Sequence, residues 1–181
     1  ATNSTAMGYS TNASGIRSTA MGYNTTAPGP YSTAMGASTN ASGSVSTAMG
    51  NQTTASGIAS TAMGVFTNAP SFAETAVGRY NTTYTPASAT AWNTADRLFV
   101  VGNGTGTGVN SSNALTITKD GTMNINDAYD MPTIGGTSGQ VLTTNGTVAT
   151  WTDPADDGDW TVSGNDQYSA VSGNVGIGTT T

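Results

Sequence analysis

The chain is predicted to be all-β: a parallel β-roll solenoid with fourteen-residue coils, followed by small β-hairpin modules, with essentially no helix. Three observations predict this. First, Ser-Thr-Ala-Met-Gly stands at 4–8, 18–22, 32–36, 46–50 and 60–64, with a degenerate copy, Glu-Thr-Ala-Val-Gly, at 74–78. Second, a half-repeat lies midway between these copies: Thr-Asn-Ala-Ser-Gly at 11–15, Thr-Thr-Ala-Pro-Gly at 25–29, and relatives at 39–43, 53–57 and 67–71. Ala-x-Gly thus recurs every seven residues from Ala6 to Gly78, broken once, at Ser71. Third, 35% of residues are hydrophobic and 8% charged, while small and hydroxyl side chains dominate. Such a chain cannot fill a core with large apolar residues, so an ordered form must repeat a thin core of small ones.

A seven-residue period could also mark a coiled coil, but each period carries a glycine, several hydroxyl or β-branched residues and often a proline, which do not sustain a helix. One short strand and one turn per seven residues fits better. Two strands close one coil, and coils stack about 4.8 Å apart with like residues in register, so six coils span roughly 25–30 Å.

Alternation along a strand assigns the faces. Ser4, Ala6 and Gly8 share one face, and Thr5 and Met7 the other. In the half-repeat Thr11, Ala13 and Gly15 form the constant face, while Asn12 and Ser14 point away. The small face should line the coil, which places Ala6, Ala13, Ala20, Ala27, Ala34, Ala41, Ala48, Ala55, Ala62, Ala69 and Ala76 inside. Met7, Met21, Met35, Met49, Met63 and Val77 then form an outward stripe, and an apolar ladder on a surface marks an interface. The alternative turns these methionines inward to fill the coil.

Further along, Asp120-Gly121 separates Leu115–Thr118 from Thr122–Ile125, and Asn145-Gly146 separates Gln140–Thr144 from Thr147–Trp151. Both dipeptides suit two-residue type I′ hairpin turns. A third hairpin is expected to join Trp160–Ser163 to Gln167–Val171. The expected division is repeats over 1–79, a linker at 80–95, a hairpin module at 96–126, a linker at 127–139, and a second hairpin module at 140–181, read as running on into a longer polypeptide.

Chemistry is sparse. The chain has no Cys and no His, so no nucleophile has an evident general base, and neither catalysis nor a cofactor is expected. Asp153, Asp156, Asp157 and Asp159 form the only acidic cluster. A solvated turn is the first reading, and a calcium site the weaker alternative, because the spacing fits no standard loop. Gly102–Gly108 is glycine-rich but precedes no helix, so it is read as a loop and not a phosphate cradle. Net charge is −6 with no basic patch, which argues against nucleic acid as a partner. No apolar run is long enough to insert in a membrane as a helix. Tyr9, Tyr23, Tyr31, Phe66 and Phe72 vary at the turns and are candidate receptor contacts, the alternative being that they pack between coils or against a neighbouring subunit.

Ser-x-Ala-x-Gly with an Ala-Met-Gly core every fourteen residues resembles the YadA-like head repeats of trimeric autotransporter adhesins, over about residues 1–79. The resemblance implies a homotrimer of parallel β-rolls, with two further copies of the chain as partners, and a role in adhesion. No neck motif, heptad stalk or anchor barrel of that family follows Gly78 in this sequence. The stretches Arg97–Gly104, Asn113–Thr122, Gly139–Gly146 and Gly173–Thr180 are instead similar to tail-fibre-like segments of phages, injection systems and large bacterial surface proteins. Together these imply an extracellular fibre on a bacterial surface, virion or injection system, attaching to a glycan or protein receptor. A passive shaft is the alternative. Ice binding through the ladder Thr5, Thr19, Thr33, Thr47, Thr61 and Thr75 is remote, because methionines share that face.

Overall fold

A computed structural model describes residues 2–154 and the backbone of 160–163 and 166–169. In chain order the repeats form β1 (Thr5–Tyr9), β2 (Thr19–Tyr23), β3 (Thr33–Ala37), β4 (Asn40–Ala41), β5 (Thr47–Asn51), β6 (Thr54–Ala55), β7 (Thr61–Val65), β8 (Asn68–Ala69) and β9 (Thr75–Arg79). The five-residue strands stack in parallel without register shift: Ala6 lies opposite Ala20, Met21 opposite Met35, and Met63 opposite Val77. The half-repeats form a second parallel sheet, in which Asn40, Thr54 and Asn68 are successive partners. Bridges from Asn12 through Thr26 to Asn40 extend it toward the first coil. The solenoid and its fourteen-residue coil are therefore as the repeat predicts.

The interior is made of the small face. Ala20, Ala27, Ala34, Ala41, Ala48, Ala55, Ala62, Ala69 and Ala76 are all 0% exposed. Ser18, Ser32, Ser46 and Ser60 are buried beside them, and Ser18, Ser32 and Ser46 each donate a hydroxyl hydrogen bond to a glycine carbonyl three residues back. Ala6 is exposed, which corrects its assignment to the interior, and Ala13 is half-buried but packs against the buried alanines. They belong to the first coil, which a neighbouring coil covers on one side only.

The alternation fails at one position. Gly8, Gly22, Gly36 and Gly50, expected on the inner face, are exposed, while Gly15, Gly29, Gly43 and Gly57 are buried. Gly36 has φ 122°, and a Cβ there would lie 2.0 Å from the carbonyl oxygen of Gly50 in the next coil. The chain is already leaving the strand at this point, and only glycine permits both the turn and the close approach. Each coil then turns at two non-glycine residues in the left-handed region, for example Ser38 (φ 54°) and Val45 (φ 59°).

The solenoid does not end at β9. β10 (Arg97–Asn103) pairs with it in parallel, with Phe99 opposite Thr75, Val100 opposite Ala76 and Gly102 opposite Gly78. Val100 takes the inner alanine position and is 0% exposed. The offset is 24 residues, not 14, so a seventh, widened coil runs through the stretch read from sequence as a linker. Asn81 follows Thr67 by fourteen residues, and its side-chain amide makes both hydrogen bonds to the backbone of Asn68. The Ser88 and Ala89 carbonyls accept from the backbone of Phe72 and Ile58. Composition suggested a linker because Thr, Ala and Pro punctuate loops, yet here they follow the outline of the coil below.

A 3₁₀ turn (Gly108–Asn110) leads to β11 (Asn113–Thr118), which pairs antiparallel with β10 and then with β12 (Met123–Ile125), itself paired to β13 (Tyr129–Met131). Among the described residues, β1, β2, β3, β5, β7 and β9–β13 form one ten-stranded sheet. β14 (Val141–Thr144) pairs with β15 (Ala149–Thr152), and β16 (Trp160–Ser163) with β17 (Asp166–Ser169). All three expected hairpins exist, but two turns differ in detail. Around Asp120-Gly121 the loop has three residues, Lys119 to Gly121, because the Thr118 N–H bonds to the Thr122 carbonyl. Around Asn145-Gly146 the central pair is Gly146-Thr147, with Gly146 at φ 100°, because the Asn145 side chain accepts from the N–H groups of Thr147 and Val148 and takes the corner position. The second expected linker also contains structure, since β13 lies within it.

Candidate interaction faces

The methionine stripe points outward. With the alanines inside, alternation leaves Thr and the Met or Val position on the outer face of β1, β2, β3, β5, β7 and β9, and the stacked register lines the methionines up strand over strand. Met7 is 57% and Met35 37% exposed, while Met21, Met49, Met63 and Val77 are half-buried by their own ladder neighbours. Thr19 to Thr75 flank them on the same face. No charged residue occupies either column.

The aromatic candidates divide into two groups. Tyr9 and Tyr23 close successive strands, both well exposed, with rings stacked 5.4 Å apart and nearly parallel. Tyr31 is exposed at a corner, where its hydroxyl accepts a hydrogen bond from Arg17 at 3.3 Å. Phe66 and Phe72 are half-buried. Phe66 stacks on Tyr80 at 4.6 Å and lines a cavity of about 200 Å³ with Gln52, Asn68 and Asn81.

The charged residues that matter lie elsewhere, at the end of the repeat. Glu74 stands where other coils have serine, and Ser71 where they have glycine. The substitution has a steric reason. A Cβ on Gly57 would come within 1.9 Å of the Ser71 carbonyl in the coil above, but no fourteen-residue coil follows Ser71, so it can carry a side chain. The fully buried Glu74 carboxylate meets the Arg97 guanidinium at 3.1 Å and accepts from the Ser71 N–H and the Tyr84 hydroxyl. Arg97 lies over the Tyr84 ring at 3.9 Å and donates to the Thr82 carbonyl. Lys119 donates to the Ser71 hydroxyl, which donates to the Arg97 carbonyl. The Asp96 carboxylate accepts from the N–H groups of Ala87 and Ser88.

Burial pushes the Glu74 carboxyl above its ordinary range, with Arg97 opposing. It also raises the Tyr84 phenol and lowers the Lys119 ammonium. A serine beside a lysine of lowered pKa is chemistry that can make a nucleophile. Here Ser71 is 0% exposed and its hydroxyl proton is directed at a backbone carbonyl, so the pair serves to close the coil. Sequence reading did not single this cluster out. The signal was present as the two breaks in the repeat, at Ser71 and Glu74.

Asp153 is exposed. Asp156, Asp157 and Asp159 lie outside the described residues, and among those described no acidic cluster is placed to hold a metal ion. Nor is any described helix long and apolar enough to cross a membrane.

The family model described as YadA head domain repeat (2 copies) matches residues 1–25, 13–39, 27–47 and 41–67. No curated protein and no solved structure matches the chain. With the stacked fourteen-residue coils already in place, residues 1–67 are similar to YadA head domain repeats in both sequence and β-solenoid form.

Proposed function

We propose that the chain is a segment of a homotrimeric extracellular fibre that attaches to a receptor on a cell or other surface. Three copies associate through the methionine stripe, and the exposed tyrosines at the strand ends and corners contact the receptor. The observation that carries this is the uncharged ladder from Met7 to Val77, apolar and outward on a solenoid whose interior is already full of alanine. A fully buried Met is worth roughly 1.5–3 kcal/mol, so six stacked positions give a strong reason to associate. The resemblance of 92–181 to tail-fibre-like segments supports a parent on a bacterial surface, a virion or an injection system.

Light scattering after size exclusion tests the assembly. The expected mass is about three times the 18.0 kDa of one chain. Met21→Asp, Met35→Asp and Met49→Asp together should return it to one chain. A folded monomer before any substitution would sink the reading. Attachment is tested separately, by retention of bacterial or host cells on protein-coated beads. Replacing Tyr9, Tyr23 and Tyr31 with Ala should reduce retention while leaving the mass unchanged. Unchanged retention would favour the passive shaft.

A further inference from the structure

We infer that the face joining copies of this chain does not stop with the sixth coil but continues across β10–β13, so that the hairpin strands of all copies pack against one another. This rests on the trimeric reading above. The register of the ten-stranded sheet carries the inference. Val77 lies opposite Val101, Val101 opposite Leu115, Leu115 opposite Ile125, and Ile125 opposite Tyr129. These residues extend the methionine column. Beside it, Thr75 lies opposite Phe99, Phe99 opposite Ile117, Ile117 opposite Met123, and Met123 opposite Met131.

Cross-strand partners share a face of the sheet. The intervening residues take the other side: Val100 is 0% exposed and Thr116 is buried. The outer face therefore changes character at β10. Through the repeats it has one apolar column and one of threonine; from Phe99 onward both columns are apolar, and neither holds a charge. Met123, Ile125 and Tyr129 are exposed in the single chain. An antiparallel extension had no need of hydrophobic residues on its solvent side, because its own inner side is already supplied by Val100 and Thr116.

The occupant is a second copy, for a geometric reason. In a closed ring of copies about an axis along the solenoid, each level of one copy meets the same level of the next. Copies seated on one another at Met21 to Met63 bring their β10–β13 faces together at the level above. The far limit is marked too. Leu142 and Ala149 of the β14–β15 hairpin line a groove with Ile125, Tyr129 and Met131, where the open face ends.

The chain has no cysteine, so single thiols can be placed at will. Met35→Cys, Leu115→Cys, Val101→Cys and Val109→Cys would be made in the full chain and treated with a short bismaleimide. Val109, fully exposed in the 3₁₀ turn away from both columns, sets the background. Met35→Cys reports the stripe of the repeats, and Leu115→Cys and Val101→Cys report its continuation. The expected result is linked chains at Leu115 or Val101 at the level of Met35, several-fold above Val109. Linkage at Met35, with Leu115 and Val101 no higher than Val109, would overturn the inference and leave the trimer standing. No linkage at any site, with the mass of one chain, would remove both.

Discussion

At Gly36 the backbone turns at φ 122° with the next coil's carbonyl oxygen directly above. Gly36→Ala meets two costs at once. A side chain at positive φ costs of order 1–3 kcal/mol, and forced overpacking typically costs a further 1–3 kcal/mol. The expected outcome is a thermal midpoint lowered by many degrees, or failure to fold. An unchanged midpoint would show that neighbouring coils can part. Val45 tests the opposite sign. It holds φ 59° while 57% exposed, and a β-branched residue is poorly suited to that region. Asn tolerates it better, so Val45→Asn should stabilise the fold by about 1 kcal/mol in denaturant unfolding. The six corner residues from Ser10 to Tyr80 and their partners from Asn3 to Ala73 explain why the turn positions vary: the constraint is on the backbone, and most of the side chains are exposed.

The element that departs furthest from the repeat is the widened seventh coil, held by the Glu74–Arg97 pair. Breaking a buried ion pair by removing one partner costs about 3–5 kcal/mol, so Glu74→Ala is expected to be severe. Glu74→Gln keeps the shape and removes the titration. Burial holds this carboxyl above its ordinary range, so the folded chain binds the proton more tightly than the unfolded one. Its contribution is then fully present below the ordinary carboxyl value of 4.5 and is lost as pH rises through the raised value. The stability of the natural chain relative to Glu74→Gln should therefore increase as pH falls from neutral toward 4.5. A relative stability that decreases instead would mean that Arg97 outweighs burial.

For the whole molecule, the stripe ties stability to association. A chain that buries Met21 to Met63 only against other copies should unfold at a temperature that rises with protein concentration. A midpoint that stays constant over a roughly hundredfold range would describe a solenoid that folds alone. The same sheet carries repeats and hairpins, so the two halves are expected to unfold in one transition, recorded by far-ultraviolet circular dichroism and by tryptophan fluorescence, to which Trp92 and Trp151 contribute. Separate transitions would show that the β9–β10 pairing is weak.

The sequence by itself determined the coil length, the stacking of like on like, and that the alanine columns line the interior. A strict period leaves each strand one neighbour to copy, and Ala, Ser and Gly leave one way for two sheets to approach. It also placed three hairpins, because Asp-Gly, Asn-Gly and Gly-Asn are short-range turn signals. Only the tertiary structure decided that residues 80–103 form a further coil, since a 24-residue offset hides from a search at fourteen. It likewise decided the three-residue loop at Lys119–Gly121, the shifted turn at Gly146-Thr147, and the burial of Glu74, Arg97 and Lys119 together. The joint burial of Glu74, Arg97 and Lys119 depends on contacts between residues tens of positions apart, such as Ser71 with Lys119, which no local pattern encodes, whereas the two turns follow from bonds within a few residues, Thr118 with Thr122 and Asn145 with Thr147 and Val148.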